Sequence, residues 1–217
     1  MRRFAIALGF VLASGAAPAL ADDAAFDWSG GFIGAQAGYA GGKGHFSSST
    51  GDTAHPEPDG FIGGLYTGAN YQFSNDIVVG VDADIDWSRA RDSVLVYDAA
   101  GFPWPADYPV VQEINWTGAV RARLGYAVGR WLPYVAGGVA FADVSQRLVG
   151  AIGNFDENYT GWTVGAGAEY AVTDRVIFRA DYRYSDFGSK SFEIPGAPPL
   201  NISLKTHSAR LGIAFKF

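Results

Sequence analysis

The chain has 217 residues, enough for one domain or two small ones. It holds no Cys, carries a formal net charge of −6, and contains 29 glycines, 15% aromatic and 18% charged residues. The absence of Cys excludes a disulfide framework, a thiolate metal centre and a cysteine nucleophile, and the negative charge argues against nucleic acid as a partner. Low charge with abundant glycine and aromatics points to a closely packed β-protein.

The N-terminus reads as an address. Arg2 and Arg3 are basic, Phe4–Ala13 is apolar, and Ala19-Leu20-Ala21 is a small-x-small cleavage site. Residues 1–21 are therefore expected to be a secretory signal peptide, cut before Asp22. No Cys follows the cleavage site, so no lipid anchor is expected there. No later apolar run approaches the ~20 residues of a spanning helix, which leaves a membrane barrel open.

From residue 22 onward the chain alternates with period two, the mark of strands. Gly31–Gly42 and Gly60–Phe73 are the first two runs. In the second, Phe61, Leu65, Tyr71 and Phe73 oppose Tyr66, Asn70 and Gln72. Ile77–Ser88 is clearest, with Ile77, Val79, Val81, Ala83, Ile85 and Trp87 opposing Val78, Gly80, Asp82, Asp84, Asp86 and Ser88. In Ile114–Tyr126, Ile114, Trp116, Val120, Ala122, Leu124 and Tyr126 oppose Asn115, Thr117, Arg121 and Arg123. Trp131–Ala142 is nearly apolar on both faces. Trp162–Tyr170 places Glu169 among glycines on its polar face. From Val176, Val176, Phe178, Ala180, Tyr182 and Tyr184 oppose Arg179, Asp181, Arg183 and Ser185. Ser208–Phe217 sets Arg210 against Ala209, Leu211, Ile213, Phe215 and Phe217.

These are eight strands. Their polar faces carry five acids (Asp82, Asp84, Asp86, Glu169, Asp181) and five arginines (Arg121, Arg123, Arg179, Arg183, Arg210). An unpartnered buried charge is very costly, so equal numbers fit faces that converge in one lumen. Aromatics gather near strand ends, including Trp28, Tyr71, Phe73, Trp87, Trp116, Tyr126, Trp131, Trp162, Tyr170, Tyr184 and Phe217, as interfacial girdles require. Three connections are tight, at Ser74–Asp76, Val128–Arg130 and Thr173–Arg175. Four are long, at Lys43–Asp59, Ala90–Glu113, Asp143–Asn158 and Gly188–Lys205. The expected fold is all-β: an eight-stranded antiparallel up-and-down transmembrane β-barrel over residues 22–217. Short turns face the periplasm and long loops the exterior, so both termini fall in the periplasm. A secreted lipocalin-like barrel would show the inverse pattern, apolar inside and polar outside.

Trp28–Gly42 (WSGGFIGAQAGYAGG), Gly161–Val172 (GWTVGAGAEYAV), Phe178–Gly188 (FRADYRYSDFG) and His207–Phe217 (HSARLGIAFKF) resemble the small outer-membrane β-barrel proteins of alphaproteobacteria. That porin-like family is related more loosely to the OmpA transmembrane domain. The resemblance covers essentially everything after the signal segment. It implies surface proteins with roles in envelope integrity and, for some members, hemin binding. The last strand, ending on Phe217, resembles the signal read by the barrel-assembly machinery. Outer-membrane lipids and that machinery are the expected partners.

An eight-stranded barrel is filled by its own side chains, so paired Asp and Arg residues should plug it despite the porin-like name. Binding or transport of hemin or a small solute, through the loops or the lumen, is the alternative function. His45 and His55, with Asp52, Glu57 and Asp59 near them in sequence, are the candidate loop ligands. No resident cofactor or metal is expected. No enzyme is expected either. His207 and Ser208 are adjacent on a strand and point to opposite faces, so they do not form a nucleophile–base pair. Glu169, Asp82 and Asp84 read as arginine-paired structure before acid–base catalysts. The glycine runs lack the GxxxxGK[ST] pattern of a phosphate loop.

Overall fold

The computed structural model describes residues 26–48, 53–55, 57–94, 97, 100, 102, 110–148, 154–192 and 200–217. The expected signal segment, Met1–Ala21, lies outside them. Eight long strands form one sheet: β1 (Gly30–Ser48), β2 (Asp59–Gln72), β3 (Ile77–Val94), β4 (Val110–Tyr126), β5 (Trp131–Leu148), β6 (Asn154–Ala171), β7 (Val176–Phe192) and β8 (Leu200–Lys216). Each pairs antiparallel with its sequence neighbour, and β1 pairs with β8, closing the ring. A two-residue strand, Thr53–Ala54, extends the far end of β1. Among the described residues there is no helix.

The register fixes the dimensions. Starting at Ala171 on β6, cross-strand partners run through Ile177, Ala214, Gly34, Tyr66, Asp84, Ala119 and Ala140, then return to β6 at Gly161. The path comes back ten residues from its origin, a shear of ten for eight strands. That combination tilts the strands by ~40° and sets a backbone radius of ~8 Å, too narrow to leave a wide bore.

The outward face is apolar. Phe61, Leu65, Val81, Val120, Val135, Val164, Tyr182 and Leu211 are all exposed. On β3 the outward run from Ile77 to Trp87 covers ten steps, ~33 Å along the strand and ~25 Å along the axis, matching the ~25 Å apolar band of membrane barrels. The exposed rings fall into two belts. Tyr71, Phe73, Tyr126, Trp131, Tyr170 and Phe217 ring the short-turn end. Tyr39, Phe61, Trp87, Phe141 and Trp162 ring the barrel on the long-loop side.

Three sequence expectations need correction. First, the strands outrun their apolar cores. β3 continues to Val94 instead of Ser88, β5 to Leu148 instead of Ala142, and β6 begins at Asn154 instead of Trp162. Beyond the belts the outward face no longer has to be apolar, so alternation fades while the closed ladder still pairs the backbone. The wall is therefore ~40 Å tall, well above the apolar band. Second, Ile114 was expected outward with Trp116. A bulge between Ile114 and Trp116 turns it inward, where it is 4% exposed, and leaves Asn115 outside. Third, Trp28 is not in a girdle. It is 1% exposed, folded across the short-turn mouth.

The lumen is layered. Phe26, Trp28, Phe32, Val78, Leu132, Ile177 and neighbours form an apolar floor at the short-turn end. Ile114, Val144, Tyr159, Phe187, Leu204 and three alanines form an apolar roof. The inward charges lie between them. The floor is held by the segment before β1: the Trp28 N–H donates to Gln72 Oε1 (2.8 Å), and the Gln72 N–H to Ser29 Oγ (3.0 Å).

Candidate functional site in the barrel lumen

The five acids and five arginines expected on the inward faces meet in the middle layer, none more than 5% exposed except Asp84, whose side chain is 3% exposed. Strand parity puts them there. Asp82, Asp84 and Asp86 share the inner face of β3, and Arg179, Asp181 and Arg183 that of β7. β3 and β7 stand four strands apart, on opposite walls of the ring.

Register makes the nearest pairs. Arg121 faces Asp82 across β4–β3 and grips it with two bonds, Nε–Oδ1 2.9 Å and Nη2–Oδ2 3.0 Å. Its remaining Nη1 reaches Asp181 at 3.2 Å. Glu169 faces Arg179 at 2.7 Å and also receives Arg123 at 2.9 Å. Length makes the far pairs. Arg183 crosses the lumen to Asp84 at 2.5 Å, and Arg179 reaches Asp82 at 3.5 Å. Arg210 joins Asp86 (2.9 Å) to Asp181 (3.4 Å). The acids and arginines are equal in number, so the layer is neutral.

Neutral side chains complete the packing. The Tyr134 hydroxyl donates to Asp181 (2.9 Å), and Gln36 Nε2 donates to Asp86 (2.8 Å). The Arg123 guanidinium lies 4.1 Å from the Tyr134 ring centre, and that of Arg179 lies 4.1 Å from Tyr66. Phe32 stands 5.6 and 5.2 Å from the same two cations. Sequence reasoning missed this aromatic cage. Alternation places Tyr66 on the polar face with Asn70 and Gln72, but the apolar appearance of β5 hides Tyr134. Glycine makes room: a Cβ at Gly34 would lie 2.7 Å from Tyr66 Cζ, and one at Gly212 2.9 Å from Cε1. Above the charges, a cavity of about 20 Å³ is bordered by Arg183, Arg210, Ser185, Ser208, Ile114 and Phe187. It has room for about one water.

The remaining candidates lie elsewhere. His45 and His55 are exposed on the long-loop rim, far from the ion layer, with His45 Nδ1 and His55 Nε2 3.1 Å apart. His207 points outward to the Tyr182 hydroxyl (2.7 Å), while Ser208 is buried inside. The two cannot act on one substrate.

A closed sheet with an apolar exterior, two aromatic belts and charges held inside defines a β-barrel of the outer membrane. The chain belongs to the outer membrane protein beta-barrel domain family, which matches residues 5–217. It is 33% identical to the 31 kDa outer-membrane immunogenic protein of Brucella melitensis, over 98% of this chain and 93% of that one. It is 34% identical to the 22 kDa outer membrane protein of Rhizobium leguminosarum bv. viciae, over 73% of this chain and 67% of that one. Among solved structures, OprG from Pseudomonas aeruginosa matches with a TM-score of 0.59 at 15% identity, covering 88% of this chain and 97% of that one. Neisserial surface protein A matches with a TM-score of 0.50 at 19% identity, covering 87% and 98%. At such identities these structures share the fold alone. The chain is an outer-membrane β-barrel protein.

Proposed function

We propose that this protein is a non-enzymatic structural and surface-exposed component of the outer membrane, with a sealed lumen. The observation that carries the reading is the stack of apolar floor, neutral ion layer and apolar roof inside a wall of ~8 Å radius. An ion entering would have to cross an apolar layer and then displace side chains already paired, at a cost of several kcal/mol. The inward acids all have arginine partners, which leaves no free acid–base pair for catalysis. The short-turn end, with the segment from Phe26 and the end of β8, belongs to the periplasm, and the long loops to the exterior. Lipid-facing aliphatics anchor the wall. The last strand, ending on Phe217, addresses the chain to the barrel-assembly machinery. The tall wall and loops then contribute to envelope integrity and meet the surroundings.

Planar-bilayer recording tests the seal. The expected result is no steady conductance of general-porin size; such a conductance from single inserted barrels overturns the reading. Protease shaving of intact cells tests orientation. Cleavage confined to the four long-loop regions is expected, and cleavage at the Ser74–Asp76 turn would reverse the topology.

A further inference from the structure

We propose that His45 and His55 form a two-imidazole site for one divalent transition-metal ion, Cu(II) foremost, on the outer rim of the barrel. The pair is built by the sheet. Phe46 pairs with Ala54 and Ser47 with Thr53, so the next position down the same antiparallel ladder sets His45 opposite His55. Directly opposed side chains on antiparallel strands meet on one face.

His55 is pinned on both flanks. On one side, Thr53 exchanges two backbone hydrogen bonds with Tyr97 (2.8 and 2.9 Å). On the other, the Gly42 N–H donates to Pro58 O (2.7 Å) and the Glu57 N–H to Asp92 Oδ2 (2.7 Å). A site held by backbone on each side needs little reorganisation to bind.

The ring geometry favours a shared ion over a simple hydrogen bond. A straight N–H···N bond along both ring axes would hold the centroids about 5.4 Å apart. They are 4.6 Å apart with the rings at 74°, so the contact is strongly bent. A metal at ~2.05 Å from each nitrogen would close a 3.1 Å N···N gap with an angle of roughly 98°. That lies between square-planar and tetrahedral values. Two ligands so placed are cis on a small ion, whereas the two axial ligands of a haem lie on opposite faces of the porphyrin, roughly 4 Å apart. Imidazole suits Cu, Zn and Ni, and the divalent affinity order peaks at Cu. Among the described residues no third His, Asp or Glu joins the pair, so water would fill the other positions.

The test uses the whole chain refolded in detergent, titrated with Cu(II) alone at neutral pH and read by calorimetry and electron paramagnetic resonance. One tight equivalent per chain, with hyperfine coupling to two imidazole nitrogens, is the expected result. His45→Ala and His55→Ala should each weaken that equivalent more than about tenfold, and the double variant should abolish it. His207→Ala should leave it unchanged. All variants should keep the mobility shift of a folded barrel on unheated gels. A one-nitrogen spectrum from the unaltered protein overturns the site whatever the variants do. So does Cu(II) uptake by the double variant equal to that of the parent. Neither result bears on the sealed lumen, which conductance tests separately.

Discussion

Arg121 joins two acids that otherwise belong to opposite parts of the lumen, so its removal is the sharpest probe of the ion layer. Its side chain is 1% exposed and is bonded twice to Asp82 and again to Asp181. Arg121→Met keeps most of the volume and removes the charge. Asp82 then retains only the more distant Arg179 (3.5 Å) and Arg123 (4.0 Å). Deleting one member of a buried ionic group costs about 3–5 kcal/mol, because the other is left unpaired. At a urea slope of about 2 kcal/mol/M, the unfolding midpoint should fall by about 2 M. The assay is equilibrium urea unfolding in lipid vesicles, read by gel mobility without heating. The companion is Arg121→Met with Asp82→Leu, which restores neutrality with an apolar pair. If the loss comes from an orphaned carboxylate, the double variant recovers about 2 kcal/mol or more of the summed single losses. Additivity within about 0.5 kcal/mol would refute the argument, as would a midpoint shift for Arg121→Met too small to measure.

Trp28→Ala opens the apolar floor; the loss of a fully buried indole should cost about 3–5 kcal/mol, measured by the same unfolding assay. Gly34→Ala drives a Cβ to 2.4 Å from the Ile213 carbonyl and 2.7 Å from Tyr66, and should cost about 1–3 kcal/mol. Gly63→Ala, whose nearest atom is 3.7 Å away, should stay within about 0.5 kcal/mol on the same assay. The backbone N–H of Ser29 donates to Asp27 Oδ1 (2.8 Å) and holds that carboxyl below the usual carboxylate range. Because the folded value is depressed, its contribution is complete above an unfolded value of about 3.9 and vanishes as pH falls through the folded value. The difference in midpoint between the parent and Asp27→Asn should therefore be flat above about pH 5 and close at lower pH.

Strand count and sidedness were legible because the period-two signal is strict wherever one face meets lipid. On β3 every residue from Ile77 to Trp87 faces the way alternation requires, since a single slip would bury an apolar residue among charges or push a carboxylate outward. The same logic explains what was illegible. Ile114 sits just past the belts, where a bulge can invert parity without exposing a charge to lipid. Trp28 precedes the first strand, so alternation says nothing of it, and its position depends on Gln72, more than forty residues away. The roof residues Val144, Tyr159, Phe187 and Leu204 lie on strand extensions that the outward pattern no longer marks. The charge partners were legible as a set through their equal numbers. Their pairing was not, because Arg183 to Asp84 and Arg179 to Asp82 are contacts across the bore, set by barrel diameter and side-chain length.

The floor and roof change what the ion layer means. Buried between those layers, and in the proposed sealed lumen, the ten charges sit at a lower effective dielectric than they would in an open channel, and each attraction strengthens accordingly. An unmatched charge becomes correspondingly costlier, with no counter-ion at hand to relieve it. The equal numbers of Asp or Glu and Arg are what the proposed seal requires, and they would not be required of a water-filled bore. A lumen under that constraint tolerates little variation, since any charge change there needs a matching one. The wall above the belts is under no such constraint. The outer face of that wall meets neither lipid nor the lumen, and it is there that the paired histidines stand. Chemistry particular to this protein is therefore to be sought on the rim.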